Sequence, residues 1–353
     1  MKSKKFIALY LYQHVLMTLE TLHQKLLALG AKSLHYGYLY RALFGIVPWP
    51  DADNPKFPKA LREALPAIKA EIESVLRVVD QHKGEEEESL KLLFELQDGH
   101  TIESVLLPRE GVCVSSQVGC AVGCVFCMTG QSGLIRQLTD LEIVAQVIEA
   151  KRLRPETRKV VFMGMGEPSH NLKNVMSAIN FLGTYSQIPH KNLVFSTVGD
   201  QRVFDALNAS TVKPALAISL HTTIKEKREK LLPRAGKISI DSLVNQAESY
   251  ARETGYPIQY QWTLMKGIND GDDELANIAQ LLTGKYALMN FIPVNAVDNS
   301  PYRRPEWSRC QEMAKVLKAS HILAKFRHSA AQDVEGGCGQ LRYRYLQKEG
   351  KSL

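Results

Sequence analysis

The sequence predicts an α/β protein, with a parallel sheet carrying helices on its outside, a helical N-terminal region and a β-hairpin between the two. Three observations lead there. Over the last two-thirds of the chain, extended apolar runs alternate with helical patterns six times, and such alternation implies parallel strands joined by outer helices. The first 80 residues instead repeat apolar positions at helical spacing and show little strand character. Between these regions two extended runs flank Asp98-Gly99, a strong short-range hairpin signal.

Bulk properties bound the rest. At 353 residues the chain is long for a single core, so one large domain with a smaller one is expected. Hydrophobic content of 45% and charged content of 23% are those of a globular protein, which excludes a disordered chain. Net charge is +7 and the isoelectric point is near 8.9. This mild basic bias suits a polyanionic partner without proving one. The N-terminus, MKSKKFIALYLYQHVLMTLE, starts like a signal peptide. Gln13 and His14 interrupt its apolar run and no small-x-small cleavage site follows, so an amphipathic helix is expected. No 18-residue apolar run suggests a membrane span. The six cysteines are therefore expected in a reducing cytoplasm, where clustered cysteines bind metal or perform chemistry.

Each element follows from local pattern. Val15, Leu16, Leu19, Leu22, Leu26 and Leu27 form one helical stripe, and Pro48, Pro50, Pro55 and Pro58 separate it from a second helical run over 59–80. HKGEEEES, 82–89, reads as a solvated connector. SLKLLFELQDGHTIESVLLP, 89–108, is the hairpin. Strands are expected at 112–118, 159–165, 192–198, 215–221, 257–265 and 287–294, with a short last one at 324–329. Helices are expected at 140–153, 172–185, 223–232, 240–253, 273–283 and 306–319. Thr139 and Glu142 form a capping box at the start of the first. This pattern closes either as a doubly wound open sheet or as a full or partial (β/α) barrel.

Half of the cysteines lie in GCAVGCVFCMTG, 119–130, spaced Cys120-x3-Cys124-x2-Cys127. Thiolates are soft ligands for zinc, copper(I) or iron–sulfur. A structural zinc site takes four ligands, usually as two pairs. Here there are three close cysteines and no nearby histidine, which suits a four-iron cluster with one iron left open. Structural zinc remains the alternative. Polar residues recur where the strands are expected to end: Gly166-Glu167, Ser196-Thr197, Ser219-Leu220-His221 and Asn295. Ligands of parallel β/α folds bind outside the C-terminal ends of strands, so these residues converge on one site. Singly, each has a plain reading, such as Ser219 capping the next helix.

CVSSQVGCAVGCVFCMTG, VVFMGMGEP, LVFSTVG, LAISLH, IPVN and GGCGQL occur in that order. On these motifs the chain, over roughly residues 90–345, resembles the radical-SAM RNA methyltransferases of the RlmN/Cfr type, with a weaker echo in GYLYRALFG, 37–45. The resemblance implies a partial (β/α)6 barrel over 111–345, an N-terminal helical accessory domain for RNA over 1–82, a linker and hairpin over 83–110, and a tail at 346–353. It implies that Cys120, Cys124 and Cys127 hold a [4Fe-4S] cluster. Gly166, Glu167, Ser196, Ser219, Leu220, His221 and Asn295 match positions that contact S-adenosylmethionine. Cys338 matches the cysteine that is methylated, Cys113 the one that resolves the intermediate, and Glu103 the proton acceptor.

The same resemblance implies that two molecules of S-adenosylmethionine serve each turnover, one methylating Cys338 and one yielding a 5′-deoxyadenosyl radical. The methyl goes to an adenine ring carbon of ribosomal or transfer RNA, carbon-2 being favoured over carbon-8. A flavodoxin-like donor and a monomeric protein are implied as well. Cys310 lies in a helical pattern and reads as a buried apolar residue.

The chain departs from the family pattern at Ala330, Ala331 and Gln332, where an Arg-Gly pair and an acidic residue are usual, at MTGQSGL after the cluster motif, and at Val198. These changes suggest a divergent branch with an RNA target of its own. Arg303-Arg304, RYRYLQK near the C-terminus and the N-terminal lysines are candidate phosphate contacts. Two other classes stay open, a radical-SAM enzyme with another substrate and a non-catalytic RNA-binding or iron-sensing protein.

Overall fold

The structure, a computed structural model, describes residues 16–84, 89–294, 301–326 and 339–350. The expected amphipathic helix of the first 15 residues, Asn295, the loop 329–337 and Cys338 lie outside the described residues.

Among the described residues three helices come first, α1 Leu19–Ala28, α2 Ser33–Leu43 and α3 Lys59–Glu73. The chain then forms β1 Leu76–Lys83, β2 Leu90–Leu96, β3 Thr101–Leu107, β4 Gly111–Cys113 and β5 Gln117–Gly119, followed by α4 Met128–Gln131, β6 Leu134–Gln137 and α5 Asp140–Leu153. Next come β7 Lys159–Phe162, α6 Leu172–Tyr185, β8 Leu193–Thr197, α7 Gln201–Ala209, β9 Ala215–Ser219, α8 Lys225–Leu231 and α9 Ile240–Thr254. Last are β10 Ile258–Leu264, α10 Asp272–Leu282, β11 Ala287–Pro293, α11 Trp307–Ala319, β12 Leu323–Phe326 and α12 Gln340–Lys348.

Ten strands form one sheet in the order β1-β2-β3-β4-β7-β8-β9-β10-β11-β12. Pairings up to β3–β4 are antiparallel. From β4 to β12 every pairing is parallel. Among the described residues β1 and β12 are free edges, so the sheet is the open, partial form of the (β/α) barrel.

The two faces differ in residue size. Cys113 pairs with Val161, Val161 with Val194 and Val194 with Ala215. These side chains form an inner row of small residues. Between sheet and helices the core is larger, with Phe162, Phe195, Leu216, Trp262 and Phe291 fully buried. The N-terminal helices share that core. Tyr40 of α2 meets Phe181 and Tyr185 of α6 edge to face at 4.8 and 5.0 Å.

Elements α4, β6 and α12 carry no sequence expectation, and three others differ from the sequence pattern. The helical run expected over 59–80 stops at Glu73, because the stripe of Leu61, Leu65, Ile68 and Ile72 ends there. Leu76 onward then pairs with β2 as a strand. The strand expected over 112–118 divides into β4 and β5. Ser115 turns its backbone to the Gln146 side chain (2.8 and 3.0 Å), and β5 pairs with β6 in a separate ribbon. Helix α7, capped by Asp200, is short enough to escape a periodicity count. The capping box of Thr139 and Glu142 is present. Among the described residues no helix is long and apolar enough to cross a membrane.

Asp140 ties the N-terminal helices to the barrel. Its Oδ1 accepts the Leu19 amide at 2.9 Å and its Oδ2 the Ser177 hydroxyl at 2.6 Å. Asp140→Ala leaves both donors without it and is expected to lower stability by about 1–3 kcal/mol. A denaturant midpoint equal to wild type would contradict this.

Candidate active site

The cysteine loop is shaped by glycines. Gly119 has φ 83°, and a Cβ there would lie 1.9 Å from the Gly133 carbonyl oxygen. That oxygen accepts the Cys120 amide at 2.8 Å. A Cβ on Gly130 would sit 2.9 Å from the Cys124 nitrogen. Inside this tight loop the Cys127 amide donates to the Cys124 carbonyl at 3.1 Å. Cys120 is buried, Cys124 and Cys127 half-buried. Val122, Val198, Leu231, Leu232, Met265 and Val294 form an apolar collar around the loop. Backbone bonds from Val125 to Leu231 and from Arg234 to Val122, both 3.2 Å, fasten it to α8 and the segment beyond.

Burial pushes the Cys120 thiol up to about 12, helped by Cys127 and Glu167 nearby. Cys124 and Cys127 are raised too, chiefly by burial. Ionised thiolates in such a collar need a cationic partner, and iron of an iron–sulfur cluster supplies it. A single zinc ion needs its sulfurs about 2.3 Å away on one centre. Among the described residues no three His, Cys, Asp or Glu side chains converge in that way. A cluster engages each sulfur through a separate iron, so the donor set fits it better.

The strand ends bring the other expected residues to the same rim. Gly166 has φ 106°, and a Cβ on it would meet Ser116 and Gln117 at 2.7 Å. Glu167 is buried. Its Oε1 accepts the Thr197 hydroxyl at 2.6 Å and the Ser169 amide at 3.1 Å, and its Oε2 accepts the Val198 amide at 3.1 Å. Three donors hold that carboxylate through both oxygens, and the lone pair left on Oε2 can take an ammonium group. Ser196 is buried at the end of β8. The Ser219 and Leu220 carbonyls both face Arg228 (3.2 and 3.3 Å).

His221 sits at φ 61°, with its ring 5.0 Å from Phe126. Its Nδ1 accepts the Thr263 amide at 2.9 Å, which leaves the proton of the neutral ring on Nε2. Burial, and then the Arg228 charge, lower its pKa to about 3.

On the hairpin side Glu103 and Lys91 are each 2% exposed and form an ion pair at 3.2 Å. They are diagonal neighbours, since Lys91 pairs with Val105 and Leu93 with Glu103. Glu103 Oε2 also accepts the Gly339 amide at 2.9 Å, and Oε1 the Arg342 amide at 2.7 Å. The carboxylate thus caps α12. Gly339 has φ 93°, and a Cβ there would lie 2.8 Å from the Thr129 hydroxyl, two residues beyond Cys127. Burial pushes the Cys113 thiol up to about 12, and the Glu103 charge adds to it. Cys310 is buried in the helical core.

The strand ends and thiol loop define the class. Residues 114–281 match the Radical SAM superfamily, whose members use a [4Fe-4S] cluster and S-adenosylmethionine. The chain is 54% identical over 340 residues to a "Probable RNA methyltransferase" of Leptothrix cholodnii, covering 96% of this chain and 97% of that one. With a protein of the same description from Thiobacillus denitrificans it shares 56% over 336 residues, 94% of this chain and 91% of the other. A solved radical SAM methyltransferase from Sphaerobacter thermophilus superposes with a TM-score of 0.79 at 33% identity, covering 92% and 97% of the two chains. The chain belongs to this family of radical SAM methyltransferases.

Three site residues escaped the sequence reading. Arg228 is buried and bonds the carbonyls of Val198, Ser219 and Leu220, yet KEKREK reads as a solvated run. Lys91 looks like an exposed strand residue, and Asn269, which holds the His221 carbonyl at 2.7 Å, carries no local signal.

His221 gives a pH dependence. Its ordinary value is 6.5 and its folded value about 3. Between these the unfolded chain binds a proton that the folded chain does not, so stability rises with pH through this window. Acidification below about 6.5 is expected to cost up to about 1.4 kcal/mol per pH unit from this group. His221→Gln should flatten that slope in denaturant titrations, and an unchanged slope would contradict the assignment. Lys91→Met leaves the Glu103 charge buried without its cation, at a cost of about 3–5 kcal/mol. Hydrogen exchange should then quicken at the α12 amides, and unchanged protection would contradict the clamp.

Proposed function

We propose that the chain is a methyltransferase of the RlmN/Cfr type, from a divergent branch, that adds a methyl group to an adenine ring carbon, carbon-2, of ribosomal or transfer RNA. Cys120, Cys124 and Cys127 hold the cluster. Gly166, Glu167, Ser196, Ser219, Leu220, His221 and Asn295 hold S-adenosylmethionine, with Glu167 toward its amino group. The N-terminal region 1–82, which holds α1, α2 and α3, contributes to RNA binding. A low-potential donor such as flavodoxin supplies electrons to a monomeric enzyme.

One observation supports this reading most. Glu103 joins the hairpin, the neighbourhood of Cys113 and the amide of Gly339, and Gly339 follows Cys338 in the chain. The carboxylate thus bonds the residue that follows Cys338 in sequence and lies close enough to Cys113 for its charge to act on that thiol, which supports a mechanism that needs both thiols.

An adenine ring carbon is a poor nucleophile, so a simple polar transfer from S-adenosylmethionine fails there. Bound cluster and S-adenosylmethionine supply a transferable methyl group and a 5′-deoxyadenosyl radical. The chain supplies the rest. Cys338 carries the methyl as a thioether. Glu103 accepts the ring proton once the new carbon–carbon bond has formed. Cys113 gives up its proton and attacks the Cys338 sulfur; the sulfur–carbon bond breaks as the disulfide forms, the freed carbon takes up a proton to become the methyl group, and the one electron left over from the radical addition would return to the bound cluster. With its thiol raised to about 12, Cys113 stays protonated at neutral pH until that step. This protects it from premature reaction.

Nucleoside mass spectrometry of RNA from cells with and without the gene tests the reading. It predicts a 2-methyladenosine signal that disappears on deletion and returns with the wild-type gene but not with Cys113→Ala. An 8-methyladenosine signal instead would move the carbon. No change in either would overturn the function.

A further inference from the structure

Arg342 has no part in the chemistry above, yet its position is unusual. It is the third residue of α12 and is 3% exposed. Its backbone amide serves Glu103. Its guanidinium makes no hydrogen bond among the described residues, and its Nε is sealed from solvent. Burial lowers its pKa while the Glu103 charge raises it. The carboxylate oxygens themselves face Lys91 and the two amides.

Structural arginines in this chain behave differently. Arg228 bonds three carbonyls. Arg136 lies between Asp98 and Glu142, with 2.8 and 2.9 Å bonds to the latter. A guanidinium carries five donors, and a sealed one left unmade, as on the Arg342 Nε, is costly unless a ligand completes it. Arg342 also lies in the first turn of a nine-residue helix, whose leading amides already serve the Glu103 carboxylate. That helix is pinned beside Cys113 by Glu103 and against Thr129 by Gly339.

We propose that Arg342 is a substrate-binding residue that takes a phosphodiester group of the nucleotide presented to the site. The inference rests on the RNA reading above. A planar guanidinium matches two phosphate oxygens at once. An enzyme that acts on a base swung out of its stack must hold the adjoining backbone at the rim of the pocket. Arg342 would do so from the same helix that Glu103 clamps, coupling backbone position to the methyl-carrying segment.

The test uses cluster-loaded wild type, Arg342→Met and Arg342→Lys. Filter binding measures affinity for bulk RNA from cells lacking the gene, across a salt series. Arg342→Met is expected to bind about tenfold more weakly at low salt, with the log–log salt slope smaller by about 0.7–0.9. Arg342→Lys should keep the slope and recover part of the affinity. Both variants should unfold at or above the wild-type temperature, because no protein bond is lost, and should bind S-adenosylmethionine as wild type does. Wild-type RNA affinity and slope in Arg342→Met would overturn the proposal. So would a lowered unfolding temperature in both variants, which marks a structural arginine, or loss of S-adenosylmethionine binding, which assigns the group to its carboxylate. If wild type binds no RNA, the RNA reading fails by itself. Inorganic phosphate that raises the unfolding temperature of wild type but not of Arg342→Met would then still support the anion site, and equal shifts would reject it.

Discussion

The carboxylate of Glu103 is the point on which the site depends. It is buried with Lys91 on the hairpin, and its two oxygens hold the amides of Gly339 and Arg342. A charge in that place is tolerable only while its cation and its donors stay together. The interaction therefore fixes α12 in space as firmly as it fixes the hairpin. Through Gly339 against Thr129, it also sets the C-terminal segment beside the cysteine loop. One buried anion thus aligns three stretches of chain that lie more than 200 residues apart at the extreme.

The barrel serves the same end by grading its side chains. Large residues fill the space between sheet and helices, while the inner row of Cys113, Val161, Val194 and Ala215 stays small. At the strand ends backbone groups are drawn inward by buried polar side chains, with Arg228 gathering three carbonyls and Glu167 two donors around Val198. These bonds cost flexibility and keep the rim in one arrangement. Glycines at 119, 130 and 166 let the chain pass where a Cβ would collide. A site assembled this way is preorganised by its supports rather than by its loops alone.

How much of this was legible follows from the range of each signal. Helices α5 and α6 stand where the periodicity put them, because capping and apolar spacing are local. The hairpin turn at Asp98-Gly99 is local too. The break between β4 and β5 was hidden, since it arises from Gln146 reaching the Ser115 backbone from α5. The end of α3 at Glu73 was missed because the residues that follow gain a strand partner far along the chain. In the site, the cysteine spacing and the polar strand ends were visible as pattern. Lys91 and Arg228 were not, because charged residues are exposed as a rule and only tertiary contacts reveal the exceptions; Arg342 was visible as part of the basic RYRYLQK run, with nothing local to show its burial.

The methyl-carrier mechanism requires that the C-terminal cysteine carry a methyl group. Peptide mass spectrometry of Cys338, from protein expressed with an intact cluster, tests this directly. A methyl group on that sulfur, absent when Cys124 is changed to Ala, is the predicted result. An unmodified Cys338 in cluster-loaded protein supplied with S-adenosylmethionine would contradict the methyl-carrier mechanism and leave a radical SAM protein with a different reaction.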